Sequence, residues 1–133
     1  MTLLYLLLCA VAIVLGGTLW TRYSDRKLAA ARTGEGFNEF AAHFAGEGIP
    51  LFRLREVYAH FQEWMSVDDF PVRADDDCSD VYGMCAEDLD DAAKDLARTW
   101  GVKLPEQSEL KHMPPVRTVG DLVRFLARCS PRA

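Results

Sequence analysis

The sequence predicts an all-α fold: a small antiparallel bundle of three long helices and one short one, preceded by a separate membrane helix. Two observations carry this expectation. Leu3 to Trp20 is apolar and free of charge, and three later segments place their apolar residues at helical spacing between residues that start or stop helices. The chain has 133 residues and a formal net charge of −5. That leaves room for one small core once the apolar leader is set aside. Three parts are expected: 1–32, anchor and basic flank; 33–48, a linker with a short helix; and 49–133, the helical domain.

The run from Leu3 to Trp20, about 18 residues at about 1.5 Å each, nearly spans a hydrocarbon core roughly 30 Å thick. A single transmembrane helix is the favoured reading over a cleaved signal peptide. No Lys or Arg precedes the run, and it exceeds the usual h-region. Leu28-Ala29-Ala30-Ala31 imitates a cleavage site but lies beyond flanking charges. Cys9 follows Leu6-Leu7-Leu8 and reads as a lipid-facing or packing thiol, not a lipidation site. Arg22, Arg26, Lys27 and Arg32 cluster on the C-terminal side, so the domain is expected on the cytosolic face, with Trp20 and Tyr23 at the interface. A reducing compartment disfavours a Cys78–Cys85 disulfide; a signal peptide would reopen that pairing.

Phe37, Phe40, Ala41 and Phe44 share one side of a short helix bounded by Gly34, Gly36, Gly46 and Gly48, and the stripe suits either the domain or lipid. From Leu51 to Met65, the residues Leu54, Val57, Tyr58, Phe61, Trp64 and Met65 follow the i, i+3, i+4, i+7 pattern, with Pro50 at the helix start. His43 and His60 lack neighbours that would make them ligands or bases. Val67 to Glu87 reads as a long acidic loop, solvated and pinned by Phe70, Val72, Val81 and Met84. Asp75, Asp77 and Ser79 match the first ligand positions of an EF-hand, but Asp80 and Ala86 break the pattern, so no metal is expected.

The next helix is expected to begin at Asp88, with its carboxylate accepting from the Asp91 N–H as an N-cap. Leu89, Ala92, Ala93, Leu96 and Trp100 would face inward, and Gly101 and Pro105 end the helix. Glu106 to Met113 holds a short turn. Thr118-Val-Gly-Asp121 caps a last helix whose inner stripe is Val119, Leu122, Val123 and Leu126.

The pieces Asp80-Val-Tyr-Gly83, Glu87-Asp88-Leu89-Asp90, Trp100-Gly-Val-Lys-Leu104-Pro105 and Thr118-Val119-Gly-Asp-Leu122 stand in the order of an acyl carrier protein. The resemblance covers about Leu51 to Arg128. In that family the helix head carries a serine that takes a phosphopantetheine arm. Here Asp88 stands at that position, Cys85-Ala86 lengthens the loop before it, and an anchor precedes the domain. A carboxylate has no hydroxyl to form the phosphodiester, so no cofactor is expected. Ser66 and Ser79 lie too far from the helix head to substitute.

The resemblance implies a non-catalytic interaction module whose acidic helix face, Asp88, Asp90, Asp91 and Asp95, meets a basic protein surface. Nucleic acid is excluded, because its phosphates repel an acidic domain that has no basic stripe. No nucleophile, base and orienting group occur together, so an enzyme is not expected. The alternative is an acyl carrier, or an acyl- or lipid-handling protein, modified at a non-standard residue, for example as a thioester at Cys85, which lies close to a helix N-terminus where negative charge is favoured.

Overall fold

The computed structural model describes residues 1–132 and is mostly helical. Among the described residues six helices run in chain order: α1 (Thr2–Ala31), α2 (Phe37–Ala42), α3 (Leu51–Trp64), α4 (Ala86–Trp100), α5 (Gln107–Leu110) and α6 (Val119–Ala127). Two short strands, β1 (Val102–Lys103) and β2 (Ser130–Pro131), pair antiparallel with Val102 opposite Pro131. The Arg132 N–H extends this ladder by donating to the Gly101 carbonyl at 2.8 Å.

α1 is 30 residues long, so its last turns run well beyond the apolar stretch. The stretch from Arg22 to Ala31 contains no Gly or Pro and is rich in Ala, Arg, Lys and Leu, all good helix formers. An 18-residue window of α1 has mean hydropathy 2.3, long and apolar enough to cross a membrane, and none of that window is buried. The C-terminal end differs. Leu28 and Ala29 pack against the core, and Arg32 is only 5 % exposed.

α2 starts at Gly36, whose N–H donates to the Glu39 carboxylate at 2.7 Å. Phe40 and Phe44 are buried, and Phe37 meets Tyr58 edge-on at 5.6 Å. The phenylalanine stripe therefore docks on the domain, which resolves the choice between core and lipid. In α3, Leu54, Val57, Tyr58 and Phe61 face inward, while Trp64 is 42 % exposed. Pro50 is the N-cap and not the first helical residue. Together with Phe70, Val119, Leu122, Val123 and Leu126, these residues make the core.

The segment between α3 and α4 is irregular, and Phe70, Val72 and Met84 pin it to the core as expected, but Asp76 is buried and not solvated, which corrects that part of the expectation. Val72, Ala74, Asp76 and Cys78, every second residue, are buried along a chain that turns at Ala74 and Asp75. Its backbone is stitched to the start of α6. Cys78 N–H donates to Arg117 at 2.9 Å, Val119 N–H to Asp76 at 3.0 Å, and Gly120 N–H to Ala74 at 2.7 Å. This approach explains Gly120: a Cβ there would stand 2.9 Å from the Ala74 carbonyl oxygen. Val81 is only half-buried, whereas Tyr82, absent from the expected anchors, is 5 % exposed.

Candidate functional site

α4 starts three residues earlier than expected. Cys85 is the N-cap and Asp88 is the third helical residue, so its carboxylate accepts from the Cys85 N–H at 3.0 Å and not from Asp91. The physical reason is that an acid one turn inside a helix reaches back to the cap amide. That contact holds the Asp88 carboxyl below its ordinary range. Cys85 and Ala86 are thus the cap and first residue of the helix, not an insertion in the loop.

The four aspartates do not form one equivalent set. At about 100° per residue, from 3.6 residues per turn, Asp91 and Asp95 lie on the outward stripe while Asp88 and Asp90 fall on opposite flanks. Asp90 is paired with Lys94 at 2.7 Å, and Asp95 lies 3.6 Å from Arg98. Such exposed pairs contribute little to stability, but they lower the net charge of the face. Asp91 is exposed and has no ion pair among the described residues. At the helix end, Gly101 takes φ +68, the left-handed stop expected of it.

Beside this face, between α4, α5 and α6, lies a groove of about 410 Å³ lined by Leu89, Ala93, Leu110, Met113, Leu122 and Phe125, with Asp90 at its edge. Its size falls within the range of small-molecule sites, roughly 300–1,000 Å³. Ala86, next to the exposed Cys85, also lines it. Cys78, by contrast, is buried, and burial pushes its thiol up to about 12. All four cysteines are free. His43 is exposed and His60 half-buried edge-on to Phe61. Among the described residues, no group of three His, Cys, Asp or Glu side chains is placed to hold a metal ion.

Sequence reasoning missed the main polar cluster. The Arg32 guanidinium, just past the end of α1, grips both oxygens of Asp76, donates to the Pro71 carbonyl at 2.8 Å and sits over the Phe70 ring at 5.3 Å. Asp76 also accepts from the Tyr82 hydroxyl at 2.8 Å and the Arg73 N–H at 2.9 Å. Burial and the adjacent carboxylate push the Tyr82 phenol far up, so it stays a donor. Arg73 in turn pairs with Glu35, also from the segment after α1. The alternating apolar positions Phe70, Val72 and Ala74 were the available signal, since their continuation turns Asp76 inward.

Ser66 and Ser79 both lie away from the helix head. Ser66 donates to Asp25 of α1, and the Ser79 N–H closes a turn on the Asp77 carboxylate at 2.9 Å. Compared with protein-family models, curated proteins and solved structures, the chain matches none.

Proposed function

We propose that this protein is a single-pass, membrane-tethered interaction module with a degenerate acyl-carrier-like domain on the cytosolic side. The acidic outward face of α4 contacts a basic partner. The observation that carries the reading is α1, an uncovered apolar helix that continues unbroken into turns packed on the domain. The helix order from α3 to α6 and the long segment before α4 support the carrier-like resemblance. Tethering raises the local concentration of any partner at the membrane. Asp91 and Asp95 form the centre of the contact face, with Asp88 and Asp90 at its margins. Arg22, Arg26 and Lys27 beyond the apolar run favour the cytosolic orientation.

The test is recovery of partners by the full chain in which Asp88, Asp90, Asp91 and Asp95 are changed to Asn. Loss of a partner retained by the unaltered chain supports the face, and unchanged recovery removes it.

A second reading has its own observation: the exposed Cys85 caps the helix whose first turn borders the apolar groove. In this reading the Cys85 thiol takes an acyl group from a thioester donor, releasing the donor's thiol, and the groove shelters the chain. Intact-mass measurement of the purified protein decides it. A hydroxylamine-labile acyl mass lost in Cys85→Ser supports the reading, and an unmodified chain ends it.

A further inference from the structure

We infer that the turn from Trp64 to Asp69 is a membrane-contact surface that rests in the headgroup layer of a zwitterionic bilayer beside α1. The domain is thereby seated on the membrane and does not swing from it. This rests on the proposal that α1 is the anchor.

The first support is mechanical. α1 has no Gly or Pro from Thr18 to Ala31, so the apolar run and the docking turns form one rod. The rod is fastened to the domain at two levels. Ser66 gives both its hydroxyl and its N–H to the Asp25 carboxylate, at 2.6 and 3.1 Å. One and a half to two turns further on, Arg32 is buried against Asp76, with Leu28 and Ala29 packed between.

The second support is position along the rod. Helical side chains lean toward the N-terminus, so the Asp25 carboxylate lies over the preceding turn. Consistently, Ser66 borders a surface depression together with Gly17, Thr18, Thr21 and Arg22. At about 1.5 Å per residue, Ser66 stands roughly 2–6 Å beyond Trp20, the last residue of the apolar run. The headgroup layer on each side is about 5–8 Å thick. The turn is therefore level with headgroups.

The third support is chemistry. Trp64 is 42 % exposed while its indole N–H donates to the Tyr82 carbonyl, leaving the ring free to lie at an interface. Arg22, which borders the same depression as Ser66, and Arg26 and Lys27 are exposed on α1, and Asp68 and Asp69 are exposed on the turn. Cations suit lipid phosphates, and carboxylates suit the ammonium of choline or ethanolamine. A face of mixed sign thus fits a zwitterionic surface better than an anionic one.

The three tryptophans provide the experiment. The full chain, labelled with 5-fluorotryptophan, is placed in phosphatidylcholine nanodiscs with and without a lipid carrying a paramagnetic headgroup. The three fluorine signals are assigned by Trp20→Phe and Trp64→Phe, and Trp100 by elimination. Trp20 and Trp64 should broaden to a similar extent, several-fold more than Trp100, which is 4 % exposed within the core. Broadening of Trp20 with Trp64 as sharp as Trp100 overturns the seating while leaving the anchor intact. Sharp signals from all three overturn the anchor reading itself.

Discussion

Two acidic stretches of this chain have opposite fates. On α4, Asp90, Asp91 and Asp95 point to solvent, whereas in the irregular segment before it Asp76 is 4 % exposed and holds an arginine, a tyrosine and a backbone amide. The difference follows from the backbone. A helix satisfies its own interior amides, so its carboxylates are left for water or a partner. An irregular segment has free N–H groups, and carboxylates within it can accept from them, as the buried Asp76 does from Arg73 and Asp77 from Ser79 and Asp80. Asp76 and Asp77 are therefore structural here, and Asp90, Asp91 and Asp95 on the helix are available for contact.

The strongest challenge to this contrast is Asp76→Ala. It strands the Arg32 guanidinium in a buried site and should lower stability by about 3–5 kcal/mol in chemical denaturation of the full chain. The apolar pair Arg32→Met with Asp76→Leu should recover most of that loss, because neither charge is then left unpartnered. If Asp76→Ala changes stability no more than a surface substitution, the inward role is wrong.

Gly120→Ala tests the seam between the same segment and α6. The added methyl must displace the Ala74 carbonyl, and the expected cost is about 1–3 kcal/mol. Thr118→Ala removes the hydroxyl that accepts from the Asp121 N–H at 3.0 Å and should cost about 1 kcal/mol.

Acid titration probes the same cap. Partial burial raises the Asp121 carboxyl, but the N–H groups of Thr118 and Arg117 outweigh it and the net shift is downward from 3.8. A lowered folded value contributes stability that is fully present above about pH 4 and lost as pH falls through the folded value. Asp121→Asn should flatten that part of the acid limb in pH-dependent denaturation. The smallest effect belongs to the other side of the comparison: Asp91→Asn should move stability by no more than about 0.5 kcal/mol. A larger shift would mean that the α4 face carries structural load.

The helices were legible because each rests on local chemistry. The apolar spacing of α3, α4 and α6, the Thr118–Asp121 cap and the stop at Gly101 are all written within a few residues. The start of α4 was misplaced because cysteine does not advertise itself as a cap, and an aspartate one turn inside a helix looks like one. The Arg32–Asp76 pair joins residues 44 apart, and a flanking basic residue next to an apolar run carries a different and stronger reading. The β1–β2 ladder, two residues a side and ending in Pro131, is too short to leave a pattern. On the candidate face, the four aspartates were visible as a charge run, but their division into a central pair and two flanks required the helix to be set in register.

The buried guanidinium at the end of α1 also determines where this polypeptide can be cut. A soluble fragment begun at Thr33, where composition changes, would lack Arg32 and leave Asp76 and the Tyr82 hydroxyl without their cation. One begun near Tyr23 would retain Asp25, Leu28, Ala29 and Arg32 while discarding the greasy portion. The practical border of the water-facing unit thus lies inside the first helix, about two turns upstream of its visible end.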